Sequence, residues 1–339
     1  MKKLITLGLI CIFALGLGAS FAFAGGQKEE KAEGAESAEE PYEIVYVAKL
    51  IGIPWFNATE DGMKAMAKKL GVKASVVGPP DPDPAQQARV VEDMIAKGVD
   101  AICAVPNEAD TLEPVLKKAQ EAGILVLTHE STGQKNNDYD IEMVDNVKLG
   151  ELHAEKLAEL IGGEGGYGVL VGGLSVPTHN EWADAAIAYQ EENYPDMYQV
   201  TDRLPGTESV EESHDRVIEL MKAYPDLKGV LCFGSLGPIG AAQAVKEKGM
   251  EDEVAIVGTA LPSHAEPYLK DGSMDCGYLY SPVDCGEAVV FLSNYLLEGN
   301  KIEDLDEIPD VGTFTLDGKI IVVDGIVEIT AENTGSLGF

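Results

Sequence analysis

Arginine is nearly missing from this 339-residue chain: only Arg89, Arg203 and Arg216 occur, and 25 Lys and Arg face 58 Asp and Glu, a formal net charge of −33. So acidic a surface repels phosphate backbones and anionic lipid heads. Nucleic acid is therefore not an expected partner, and a strongly anionic substrate would need a basic cluster that three arginines can do little to build. A small neutral or cationic ligand fits better. Cysteine is scarce too, at five. No Cys pair has zinc-site spacing and no His pair has metalloprotease spacing, so neither a metal nor a cofactor is expected. There is no Gly-x-Ser-x-Gly elbow and no Walker loop. The run Gly163-Glu164-Gly165-Gly166-Tyr167-Gly168 matches a dinucleotide fingerprint by letters. It follows a helical pattern and precedes a strand pattern, however, the reverse of what a phosphate site requires. His129 and His179 have no nucleophile nearby in sequence, so no catalytic residue is assigned.

Only one apolar run is long enough to span a bilayer, Leu4 to Phe23. Lys2 and Lys3 precede it, and Ala22-Phe23-Ala24 supplies small residues at alternate positions, so residues 1–24 read as a signal peptide cleaved after Ala24. A retained anchor is the alternative; lipidation at Cys11 is disfavoured because Ile10 stands where a small residue belongs. Residues 25–42, built largely of Gly, Ala, Ser, Glu and Lys, read as an acidic flexible tether. The expected product is exported to the periplasm and carries four cysteines, 103, 232, 276 and 285. Cys103 and Cys232 lie in apolar strand-like runs and read as buried small hydrophobes. An oxidising compartment would permit a Cys276–Cys285 bridge, which sequence alone leaves open.

From Glu43 onward, short β-branched runs alternate with amphipathic segments. Strands are expected at 44–49, 72–77, 100–105, 124–128, 167–171, 197–203, 228–233, 253–258 and 275–280. Helices are expected at 56–70, 84–97, 109–122, 148–161, 180–193, 208–223 and 238–248, with 132–146 irregular between the two series. Repeated strand-helix-strand order implies parallel sheets covered by helices. The pattern divides into two halves, so two three-layer α/β/α domains are expected, with one (β/α)8 barrel as the alternative. The N-terminal lobe is assigned residues 43–146 and 263–306, and the C-terminal lobe 147–262 and 307–339. Three hinge crossings are expected, near Asp145-Asn146, Thr259–Pro262 and Glu303–Pro309.

In open parallel sheets the ligand crevice forms at the carboxyl ends of the strands. There the sequence places Lys49, Trp55, Phe56 and Asn57 after the first strand, with one aromatic ring expected in the core and the other at the ligand. Glu130 follows the fourth strand, and a carboxylate at that place suits hydroxyl recognition. Later loops offer Thr178, His179 and Asn180, then Phe233 and Ser235, then Ala260, then Tyr280. Amides, hydroxyls and rings with little charge read as binding rather than chemistry.

The order of leader, acidic tether and paired α/β halves resembles the type I periplasmic solute-binding proteins of ABC importers. So do Lys49-Leu50-Ile51-Gly52 with Trp55-Phe56, Gly78-Pro79 ahead of Gln86-Gln87, Gly98-Val99-Asp100-Ala101-Ile102, Leu125-Val126-Leu127-Thr128, Val254-Ala255-Ile256-Val257-Gly258 and Ile329-Thr330-Ala331-Glu332-Asn333. These motifs, spread over residues 43–339, are similar to the branch holding the autoinducer-2 and rhamnose receptors, relatives of the ribose-binding protein. The resemblance implies a monomeric receptor that is not an enzyme, closes two lobes on a sugar, deoxy sugar, polyol or autoinducer-2-like molecule, and delivers it to a membrane permease. It also implies ligand contacts at Lys49 and at Glu130, where the family has an aspartate. Thr178-His179 replace an expected Asp-Gln pair and Phe233-Gly234-Ser235 an expected Pro-x-Ala, departures that argue for a ligand other than autoinducer-2 or ribose. An exported carbohydrate-acting enzyme and a receptor feeding chemotaxis are the alternatives.

Overall fold

The computed structural model describes residues 40–339. The leader and the tether as far as residue 39 lie outside the described residues. The chain opens with β1 (Glu43–Val47), α1 (Pro54–Leu70), β2 (Lys73–Val77), α2 (Pro84–Lys97), β3 (Ala101–Ala104), α3 (Ala109–Glu121), β4 (Leu125–His129) and β5 (Tyr139–Glu142). It continues through α4 (Asn146–Ile161), β6 (Gly165–Val171), α5 (Pro177–Asn193), β7 (Met197–Gln199), β8 (Leu204–Pro205), α6 (Val210–Ala223), β9 (Leu227–Phe233), α7 (Gly237–Lys248) and β10 (Ala255–Gly258). The last elements are α8 (Pro262–Asp271), β11 (Gly277–Leu279), α9 (Pro282–Leu297), β12 (Glu307–Ile308), β13 (Gly312–Asp317), β14 (Ile320–Val323) and β15 (Val327–Ile329).

Two sheets result, each wrapped by helices, and the three-layer two-lobe architecture is observed. The first runs β12-β13-β14-β5-β4-β3-β1-β2, the second β10-β9-β6-β7 with β8 also on β6. The pairs β1–β2, β1–β3, β3–β4, β4–β5 and β14–β5 are parallel, as are those of the second sheet. Continuous apolar burial explains why: β3 (Ala-Ile-Cys-Ala) is buried at every residue, as a strand covered on both faces must be. Helix ends follow the glycine signals. Gly71 and Gly98 close α1 and α2 at φ +75°, a conformation glycine adopts without steric cost.

The C-terminal third differs from the expected division. Segments β13 and β14, expected in the second lobe, extend the first sheet, Ile321 lying beside Ile141. Helix α8, expected in the first lobe, packs on α7. Strand β11 continues the second sheet through a bridge between Val257 and Cys276, and pairs with β15. The first crossing therefore lies at Met143–Asp145, the second at Tyr280–Ser281 rather than 259–262, and the third at Asp324–Ile326 rather than 303–309. Two helices absent from the periodicity reading, α8 and α9, carry this difference. Helix α9 lies on α1 because Gly62 and Gly286 bring the backbones together: a Cβ on either would sit 2.0 Å from Val283 O or 2.1 Å from Thr59 O. The 132–146 stretch holds β5, and the strand expected at 197–203 is reduced to β7 at Met197–Gln199, with β8 lying just past its end at Leu204–Pro205. All four described cysteines are buried free thiols, so Cys276 and Cys285 are not bridged.

Candidate functional site

Strand-end loops of both sheets converge on one cavity. From the first lobe it is lined by Tyr46, Lys49, Ile53, Trp55, Phe56 and Glu130, and from the second by His179, Trp182, Glu208, Gly234, Ser235 and Thr259. Tyr280 joins from the second crossing. The open volume is about 20 Å³, little more than one water needs.

Lys49, two residues beyond β1, fills the centre. Its Nζ lies 3.2 Å from Glu208 Oε1, 3.6 Å from Glu130 Oε2 and 3.0 Å from His179 Nε2, so one ammonium joins both lobes. The loop beneath it is pinned: Asn107 Nδ2 donates to Lys49 O (2.8 Å), and Gln87 Nε2 donates to Ala48 O (3.0 Å) and Val105 O (2.7 Å). Across the cleft, Ser175 Oγ donates to Asn107 O (3.1 Å).

Glu130 follows β4 with φ +56°, an uncommon conformation for a residue with a Cβ. Such strain at a strand end accompanies a site that dictates where the side chain goes. Its Oε1 accepts a hydrogen bond from Tyr280 OH at 2.6 Å. Burial pushes the Glu130 carboxyl upward, but Lys49, the neighbouring histidines and the tyrosine hydroxyl outweigh it and hold the group at about 2. Burial also pulls on the Lys49 ammonium, yet Glu208 and then Glu130 keep it above its ordinary value.

His179 is the third residue of α5, which Pro177 starts. Its ring stacks on Trp182 one turn later, 5.5 Å between centroids. Nδ1 accepts a hydrogen bond from Gly172 N–H at 3.1 Å. Gly172 must lack a side chain here, since a Cβ would lie 2.7 Å from Glu208 Oε1 and 2.8 Å from His179 Nδ1. Burial, with Lys49 beside it, lowers His179 to about 4, so the ring is neutral at pH 7. His129 lies behind the cavity, 2.8 Å from Tyr46 OH through Nδ1, and burial lowers it to about 4 as well.

Of the residues singled out from sequence, Lys49, Trp55, Phe56, Glu130, His179, Ser235 and Tyr280 line the cavity together. Trp55 and Phe56 were expected to divide between core and ligand, yet both line it. Trp55 meets the Tyr280 ring edge-on at 5.2 Å. Five residues fall elsewhere. Asn57 is exposed on α1. Thr178 is buried with its hydroxyl unpartnered, and Ala260 is fully buried off the cavity. Asn180 bonds to Gly173 O and Val176 O, while Phe233 packs against His153 and Trp182. Glu208 was missed. It sits in the short link between β8 and Ser209, the N-cap of α6, and read as the first residue of that helix. Among the described residues, no group of three His, Cys, Asp or Glu is placed to hold a metal ion, and no helix is long and apolar enough to cross a membrane.

The sequence profile of the periplasmic binding protein domain matches residues 44–301. The chain belongs to the periplasmic binding protein family. Among curated relatives, the D-ribose/D-allose-binding protein of Pseudomonas aeruginosa is 29% identical over 255 residues, 70% of this chain and 76% of that protein. The D-apiose import binding protein of Actinobacillus succinogenes is 26% identical, covering 73% and 79%. Among solved structures, LsrB from Clostridium saccharobutylicum in complex with AI-2 superposes with a TM-score of 0.81 at 22% identity, covering 88% of this chain and 100% of that one. In this periplasmic binding protein the cavity lies where the carboxyl ends of both sheets face each other, the crevice position of open α/β folds.

Proposed function

We propose that this periplasmic binding protein is the exported receptor of an ABC importer, released by cleavage near Ala24. It captures a small sugar or polyol between its lobes as a monomer and hands it to the membrane permease. The observation that carries this reading is the single cavity shared by the two strand-end faces, with carboxylates, a lysine, a histidine and aromatic rings around it. Carboxylates accept hydroxyl hydrogen bonds and rings cover the C–H faces of sugars. Relatives named for binding ribose, allose and apiose support the ligand class. Lys49, Glu130, His179, Ser235, Tyr280, Trp55 and Phe56 are the proposed contacts.

The small open volume means that a sugar enters only when the lobes part. The ligand then stabilises the closed arrangement by its greater affinity for it, and the permease, or a chemoreceptor, reads the closed shape. Trp55 and Trp182 make the site report on itself. Titration with D-ribose, D-allose, D-tagatose, L-rhamnose, D-arabinose and xylitol should quench or shift their fluorescence for at least one compound, with compaction in small-angle scattering. A silent panel would sink the ligand class. Mass spectrometry of the recovered compound distinguishes a receptor, which returns it intact, from an exported enzyme, which does not.

A further inference from the structure

Two groups in the cavity have hydrogen-bonding capacity that the protein itself does not satisfy. His179 takes a backbone hydrogen bond at Nδ1, and in a neutral imidazole the other nitrogen must then carry the hydrogen. That Nε2–H faces Lys49 Nζ at 3.0 Å, an ammonium with nothing to accept with. Glu208 Oε1 is the converse. Glu208 is 8% exposed, and Oε1 makes no hydrogen bond even though the ammonium stands 3.2 Å away, off the line such a bond needs. The cavity thus presents a His179 N–H with no acceptor beside a Glu208 oxygen that is ion-paired with Lys49 but receives no aligned hydrogen bond.

We propose that Glu208 sets ligand selectivity, and that the ligand offers two oxygens on adjacent carbons: one accepting from Lys49 and His179, the other a hydroxyl donating to Glu208. This is the pattern of a vicinal diol or an α-hydroxycarbonyl segment. Other charge types fit one half only. An anion would satisfy Lys49 and His179 but meet Glu208 and Glu130, and an amine would satisfy Glu208 but meet the two donors. A site built to hydrogen-bond a hydroxyl rejects the analogue lacking it far more strongly than an apolar pocket rejects a missing methylene.

The inference rests on the sugar-receptor reading and names the ligand feature that its site selects. Its test takes whichever panel sugar binds and titrates it, with its single-deoxy derivatives, against wild type, Glu208→Gln and Glu212→Gln, the last an exposed acid at the start of α6. Glu208→Gln should weaken the parent sugar at least tenfold, and Glu212→Gln should change it less than twofold. One deoxy derivative should lose tenfold or more on wild type but under threefold on Glu208→Gln, a coupling that a merely structural role would not produce. Should Glu208→Gln fail to fold, the deoxy series on wild type still decides: full affinity for every derivative overturns the proposal. So does a folded Glu208→Gln protein that binds within threefold of wild type, while the receptor reading stands. A panel with no binder removes both.

Discussion

Two clusters of buried acid lie at the ends of neighbouring strands, and they are neutralised differently. Beyond β4, Glu130 meets Glu208 around the Lys49 ammonium. On β5, Asp140 and Glu142 share one face, two residues apart, 1% and 2% exposed. Thr128 Oγ1 donates to Asp140 Oδ1 at 2.5 Å, but Asp140 Oδ2 and Glu142 Oε1 have no partner among the described residues. Burial pushes both carboxyls up, and Asp140, Glu130 and Glu181 push Glu142 further, well above the usual range. The first cluster is balanced by a cation and the second by a proton. A cation suits the place where the lobes must part and meet again with their charges unchanged. A proton suits a strand interior just before the first crossing.

Removing the cation should erase the distinction. Lys49→Met leaves Glu130 and Glu208 buried without compensation, which costs about 3–5 kcal/mol when one partner of a buried pair is lost. Urea denaturation at pH 7 should show that loss, and panel binding should disappear; wild-type stability in the variant would mean that the ammonium does not neutralise the two acids. Acid tests the same cluster from the other side. His179 is lowered to about 4 when folded and stands near 6.5 unfolded, so the unfolded chain takes up its proton first. Stability from this residue is complete above about pH 6.5 and lost as pH falls toward about 4, some 3 kcal/mol in all at roughly 1.4 kcal/mol per pH unit. His179→Gln should make the profile shallower in that window by one proton's share, because His129 and His153, lowered to about 4 as well, still titrate there, as read by denaturation at pH 7, 5.5 and 4.

The proton-balanced cluster has the opposite slope. Glu142 is raised when folded and ordinary when unfolded, so between those two values the folded protein holds the extra proton and stability falls as pH rises. Glu142→Gln should therefore be more stable than wild type at pH 8 and close to it at pH 4, because the amide keeps the neutral shape without the penalty. A variant that loses stability at pH 8 would show that Glu142 does not carry the burial penalty assigned to it.

Much of this was legible in the sequence. Alternating apolar runs and helical periods gave the layers, and strand-end logic found Lys49 and Glu130, in loops just past clear strands, and His179, in the first turn of the helix that follows β6. Glu208 was hidden because Gly206-Thr207-Glu208-Ser209 reads as the entry to a helix, and only the fold brings that entry under Gly172. Strand β5 was hidden because Asp140 and Glu142 make it look like surface. Periodicity scores a buried acid as exposed, and the partner or proton that permits its burial is not local. The crossings were misplaced for a related reason. Whether β13 and β14 close the first sheet or the second is a long-range pairing that no local pattern contains.

Tyr280 gives the finest test, because it ties the cation-balanced cluster to the second crossing. Its hydroxyl donates to Glu130 Oε1 while its ring stands edge-on to Trp55 and to His129. Tyr280→Phe keeps both ring contacts and removes only the hydrogen bond. Lys49 remains the larger influence holding Glu130 ionised, so the carboxyl should rise from about 2 without reaching its ordinary value. A hydrogen bond to a charged group contributes about 1.5–3 kcal/mol to stability, and in binding part of this returns when a ligand hydroxyl occupies the vacated lone pair. The expected loss of stability is thus about 2 kcal/mol at pH 7, with panel affinity falling less than it does for Glu208→Gln. If Tyr280→Phe instead abolishes binding while its melt is unchanged, the hydroxyl itself touches the ligand, and the acceptor assigned to Glu130 belongs to the pair.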